Sequence, residues 1–350
     1  MSRQNKIRVL MVGPDRSVHG GISGVVNNYY EVGLDQRIDL CYIGTMVEGS
    51  KIRKLVQAVK AFFQFLVRLP GYEIVHVNMA SDSSYYRKSI FVRTAKAAKK
   101  KIVIHQHGGD FEGFYDRELS EKGREKARKV LSMGDAFLVL APPWKEFFGK
   151  LIGEEKITVL PDAISIPPYT KKKHGVHKIL FLGRICKTKG IGELLAVMPK
   201  LKEKYPDVQL YLGGIFEDKE LEQQAYALKD QVTCLSWVTG AEKEKYLREC
   251  DIFVLPSYFE GQSIAILEAM ANCCAVVASR TGGIPQMIID GETGILIEPR
   301  SESSLQEGME KVLSDDDFAA RLGERAREKA AAEFSIENNM ERLIHLYEGL

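Results

Sequence analysis

Short apolar runs alternate with longer amphipathic stretches along the whole chain. The runs over residues 7–12, 39–43, 74–77, 102–105, 136–140 and 157–160 have strand length and are rich in Val, Ile and Leu. After a break, the alternation resumes at 178–182, 208–212, 232–235, 252–255, 275–278 and 294–297. Continuous apolar strands separated by helical segments predict parallel sheets with helices on both faces. The break, residues 165–176, is a proline- and lysine-bearing stretch without periodicity, as expected of a linker. The pattern therefore predicts an α/β chain of two doubly wound domains, 1–165 and 178–333, joined by a linker at 166–177. Their strand carboxyl ends would face a ligand cleft. Residues 334–350 carry an apolar stripe (Ile336, Met340, Leu343, Ile344, Tyr347) and predict an amphipathic helix that crosses back to the first domain.

Composition narrows the class. With 350 residues, 45% hydrophobic and 27% charged, the chain is globular and long enough for two cores. Six scattered cysteines without metal-ligand spacing are expected as reduced thiols of a cytoplasmic protein. The apolar run at residue 7 is too short for a signal peptide and is expected as the first strand. Net charge is only +2, yet residues 51–105 hold twelve Lys or Arg against two acids, Glu73 and Asp82. Within it, residues 51–68 are basic and aromatic at helical spacing, with Lys51, Arg53, Lys54 and Lys60 beside Phe62, Phe63 and Phe65. Such a segment suits peripheral attachment to an anionic membrane, with the three rings inserted. It suits a core-packing helix with a solvated basic face equally well. No nucleic-acid motif accompanies the basic surface, and no nucleic-acid partner is expected.

Candidate chemistry concentrates in four loops. Glu260 lies in a polar loop after a strand, and Glu268 in the apolar helix that follows. Two carboxylates near a helix N-terminus suit a ligand with sugar hydroxyls and phosphate. Arg184 and Lys189, in the Gly183–Gly190 loop between a strand and a helix, offer two cations for a diphosphate. The loop is not a P-loop, because G-x-x-x-x-G-K-[ST] is absent. Gly20 and Gly21 follow the first strand and open a helix, where small residues admit a phosphate or sugar. The second strand ends without the acid that a dehydrogenase uses to hold ribose. His107, at the end of the fourth strand and beside Gly108 and Gly109, faces the expected cleft, whereas His105 reads as structural.

Together these segments resemble the retaining glycosyltransferases of family 4. The likeness runs through Gly20-Gly21, His107-Gly-Gly-Asp-Phe, Gly183-Arg184 to Lys189-Gly190, Glu260-Gly, Leu267-Glu-Ala-Met-Ala and Gly282-Gly-Ile-Pro. The chain looks most like bacterial enzymes of capsule, exopolysaccharide or lipopolysaccharide synthesis. The resemblance implies the GT-B fold, two Rossmann-like domains facing across a cleft, and transfer from a UDP- or GDP-sugar to a glycan or lipid-linked glycan. It implies that Glu268 holds ribose, and that Glu260 with the amides of Gly261, Gln262 and Ser263 holds the donor sugar. Gly183 shapes the phosphate loop, Arg184 and Lys189 neutralise the leaving diphosphate, and His107 lies near the reacting carbon. Neither metal nor cofactor is implied. The chain departs from the family pattern at Gln262, Cys273, Ala275 and Gln286, and has Asp162-Ala163 where Asn-Gly is usual. Those departures point to altered specificity or packing. Two other readings share the donor half: a different GT-B enzyme such as an epimerase or sugar-phosphate transferase, and an inactive transferase-like binding subunit.

Overall fold

The computed structural model describes residues 6–108 and 110–350, so Gly109 lies outside the described residues. The chain folds as two units, residues 1–165 with 336–350, and residues 166–335. The first holds a parallel sheet of β1 (Arg8–Gly13), β2 (Asp39–Gly44), β3 (Ile74–Met79), β4 (Lys101–Gln106), β5 (Ala136–Val139) and β6 (Ile157–Val159), in the order β2-β1-β3-β4-β5-β6. The second holds β7 (Lys178–Leu182), β8 (Gln209–Gly213), β9 (Val232–Leu235), β10 (Ile252–Leu255), β11 (Ala275–Ser279) and β12 (Ile295–Ile297), in the order β12-β11-β10-β7-β8-β9.

All twelve expected strands are present, with ends displaced by no more than two residues. The reason is burial on both faces. Val9 to Val12, Ile102 to Ile104, Ile179 to Phe181 and Ala275 to Ala278 are each at most 1% exposed, so consecutive side chains on opposite faces are all apolar. The order in which successive strands are added reverses between β1 and β3 in the first sheet and between β7 and β10 in the second. In doubly wound sheets such a switch point opens a crevice at the strand carboxyl ends.

The terminal helix Ile336–Glu348 packs within the first unit. The Ile336 amide donates to the Ile164 carbonyl at 2.9 Å, and Asn339 Nδ2 donates to Pro161 O at 2.6 Å. The Tyr347 hydroxyl lies 2.6 Å from His76 Nδ1. The proline- and lysine-bearing stretch lies against the second unit: Lys172 Nζ donates to Cys250 O at 2.7 Å, and Asp251 accepts from the amides of Val176 and Lys178.

The helix Lys51–Arg68 corrects one expectation. Phe65 is fully buried, its ring edge-on to Phe91 at 5.0 Å, and Phe62 is half-buried against the same ring at 5.7 Å. Neither ring is placed to enter a membrane; of the three, only Phe63 is exposed. Packing against the Asp82–Ala97 helix took the two rings that sequence alone left open.

Candidate functional site

The second sheet's switch point is built from three loops that lock together. After β7 the chain forms a single 3-10 turn, Lys187–Lys189, and Gly190 then starts the Ile191–Lys204 helix. Gly190 has φ +69, and a Cβ there would sit 2.8 Å from the Pro256 carbonyl carbon, so only glycine lets the β7 and β10 loops approach this closely. The Tyr258 amide donates to Thr188 O at 2.9 Å across the same seam. The loop after β11 closes from the other side. The Gly283 amide donates to Glu260 O at 3.0 Å, the Thr281 hydroxyl donates to Tyr258 O at 3.1 Å, and Gly282 has φ +53. Gly190 and the Gly282-Gly283 pair thus hold the backbone that carries Lys189 and Glu260.

Lys189 and Glu260 form an ion pair with side chains 19% and 11% exposed. The Ser257 hydroxyl donates to Glu260 Oε1 at 2.8 Å, the oxygen that Lys189 also binds. Gln262 is buried, and Ser263 caps the Ile264–Ala271 helix by accepting from the Ile266 amide. That cap takes one of the four amides a helix start leaves without intrahelical partners. Glu268, inside this helix, pairs with Lys243 of the Gly240–Glu249 helix at 2.6 Å. Arg184 is half-exposed and reaches Glu217 at 3.2 and 3.3 Å, so the two expected cations hold different carboxylates. Beneath the loops the Tyr258 hydroxyl donates to Glu193 at 2.6 Å, and burial together with that carboxylate pushes the phenol up to about 12.

The site therefore has two lysine–carboxylate pairs and one guanidinium around helix starts, an arrangement suited to an anion carrying hydroxyl groups. Lys243, Ser257 and Glu217 were not singled out from sequence. Each is a common residue type in an ordinary helix or loop, and nothing local distinguishes it.

In the first unit, Gly20 and Gly21 precede and open the Gly21–Glu31 helix, and a Cβ on either would meet nothing within 4 Å. The chain's own packing gives no reason for glycine there. The His107 side chain is 1% exposed and held at both ring nitrogens. Nε2 donates to Asn78 Oδ1 at 2.7 Å, and Nδ1 lies 3.2 Å from Asp162 Oδ1. His105 stacks on it at 3.8 Å, and His76 lies 5.4 Å from His105. Burial first, then the neighbouring histidines, holds His105 well below the usual imidazole range; burial and His107 bring His76 down to about 3. His105, His107 and Asp162 place ligand-type atoms within 4.8 Å of one another, a grouping that residue spacing did not reveal.

Two departures from the family pattern meet opposite backbone demands. Cys273 takes φ +57, a backbone state that favours glycine, at the position where the pattern has Gly. Ala275, where the pattern has Pro, uses its amide to bond Asp251 O at 2.9 Å, which proline lacks the N–H to do. Both lie at the start of β11 and bear on packing. Gln286 is exposed on the short Ile284–Met287 helix.

Residues 165–329 match the family described as Glycosyl transferases group 1. An uncharacterized glycosyltransferase of Methanocaldococcus jannaschii is 32% identical over 208 residues, covering 59% of this chain and 51% of the relative. The chain spans about half the length of the curated relatives it matches. Among solved structures, sucrose-phosphate synthase of Thermosynechococcus elongatus superimposes with a TM-score of 0.78 at 20% identity, over 98% of this chain and 99% of that one. HepE of Anabaena, in complex with UDP-glucose, gives 0.76 at 17% identity, over 98% and 100%. The chain thus has the GT-B fold of two Rossmann-like domains, and its residues 165–329 are similar to the Glycosyl transferases group 1 family.

Proposed function

We propose that this chain is a retaining glycosyltransferase that moves a sugar from a UDP- or GDP-sugar to a lipid-linked glycan in bacterial surface polysaccharide synthesis. The Lys189–Glu260 pair carries the donor half of this reading, because interlocked loops fix it at a switch point within the matched domain. HepE, which shares the fold, is known in complex with UDP-glucose, and that supports a nucleotide sugar as the ligand class. In this reading Glu268 accepts from the ribose hydroxyls, and Glu260 with the amides of Gly261, Gln262 and Ser263 holds the donor sugar. Lys189, Arg184 and the amides that open the Ile191–Lys204 helix meet the diphosphate.

The bond between the anomeric carbon and the phosphate oxygen breaks as the acceptor oxygen bonds that carbon on the same face. A donor phosphate oxygen takes the acceptor's proton. The charge left on the diphosphate is met by Lys189 and Arg184, so this step asks for no divalent cation. His107 is assigned the donor sugar on the family resemblance. The acceptor half rests on that resemblance and on the basic excess of residues 51–105.

Turnover of a panel of UDP- and GDP-sugars, followed as released nucleotide diphosphate, tests the reading. Lys189→Ala should lower kcat by about 10²–10³-fold with unchanged melting, the loss typical of removing one group that meets transition-state charge. Turnover should survive EDTA. Near-normal rates in the variant, or strict metal dependence, would refute the assignment.

A further inference from the structure

We propose that the helix Lys51–Arg68 docks flat on an anionic lipid surface through a face the fold turns outward. Ordinary surface helices direct their apolar stripe to the core and their polar face to water. This helix has two apolar sides. Ala61 and Phe65 are fully buried and anchor it. The other side carries Ile52, Leu55, Val56, Val59, Phe63 and Val67, all between 49% and 79% exposed. At 3.6 residues per turn these six fall within an arc of about 120°, centred opposite Ala61. They form one continuous stripe about 25 Å long, not scattered surface residues.

Charge selects the occupant. Arg53 and Lys60 flank one edge of the stripe, Lys51 and Lys54 lie in the first turn, Arg68 lies in the last turn, and the helix contains no acid. Two copies meeting face to face would bring cation against cation, which disfavours a second copy of the chain as the partner. A leaflet of acidic phospholipid gives the stripe an apolar bed and the cations phosphate partners. The stripe lies along the surface and does not cross it: among the described residues no helix is long and apolar enough to span a membrane. Phe63 and Val67 replace the buried Phe65 and half-buried Phe62 as inserting residues. This inference rests on the helix and is independent of the donor reading.

Flotation of the full chain with vesicles of phosphatidylcholine and phosphatidylglycerol tests it. At low salt the wild type should float with the mixed vesicles and stay down with phosphatidylcholine alone, and high salt should release it. Two variants are compared: I52S/V56S/F63S/V67S removes the stripe, and K51S/R53S/K54S/K60S removes the charge. Each should lose vesicle affinity by about a hundredfold or more while melting and nucleotide binding are kept. Wild type that never floats, or both variants floating as wild type does, would overturn the proposal. So would a stripe-dependent dimer that ignores vesicles, which would assign the face to a second copy.

Discussion

Gly282→Ala is the most informative single change, because it acts on the site through backbone alone. A Cβ at this position would lie 2.8 Å from the Glu260 carbonyl carbon, and the residue would keep φ +53. The Glu260 carbonyl oxygen lies closer still, and carbon–carbon contacts are comfortable at ~3.5–4.0 Å, so the Glu260–Gly261 backbone must retreat by more than about 1 Å. Left-handed backbone costs a non-glycine residue about 1–2 kcal/mol, and overpacking about 1–3 kcal/mol more. At about 2–4 °C per kcal/mol for a domain of this size, a melting loss of roughly 4–20 °C follows. The same displacement moves Glu260 from Lys189 and should lower turnover by about 10²-fold, the usual consequence of a 1 Å misplacement. Thermal unfolding and donor turnover are measured beside Gly20→Ala, where a Cβ meets nothing and melting should not change. Should Gly282→Ala melt and turn over like the parent, the loops are not locked as described and the reasoning fails.

Glu268→Gln should weaken nucleotide diphosphate binding, whereas Glu260→Gln should spare binding and slow transfer; titration calorimetry with turnover separates them, and equal losses of affinity would mean the roles are misassigned. Arg184→Ala should cost less turnover than Lys189→Ala, because the guanidinium is half-exposed and already shared with Glu217. Fold stability should be greatest above about pH 6.5 and fall on acidification. His76 and His105 stay neutral when folded, with pKa values depressed by burial, while the unfolded chain takes up both protons near pH 6.5. The slope is about 1.4 kcal/mol per pH unit for each ring over roughly pH 6.5 to 5; His76→Gln should halve it in thermal melts, and a flat profile would contradict the buried pair.

Much of the fold was legible because the strands are short, mostly apolar runs and the helices between them break that pattern. Lys189, Glu260 and Glu268 were legible because they sit in short motifs at strand ends. What joins them was not. Lys243 is one of 49 basic residues, and only the packing of the Gly240–Glu249 helix brings it to Glu268. Asp162 meets His107 across 55 residues of sequence, a separation that no local pattern bridges. On the Lys51–Arg68 helix, periodicity located the apolar residues but left open which of two apolar sides faces the core. The ring of Phe91 against Phe62 and Phe65 decides it.

The central claim is that the loops at the second switch point hold a nucleotide diphosphate through Lys189. Its most direct test is calorimetric titration of UDP, GDP and the corresponding nucleosides into the wild type and Lys189→Ala. The wild type should bind one of the diphosphates at least about tenfold more tightly than its nucleoside, a gain of about 1.4 kcal/mol from the phosphates. That gain should vanish in Lys189→Ala with melting preserved. A wild type that binds neither diphosphate, or a variant that keeps the full preference, would contradict the account.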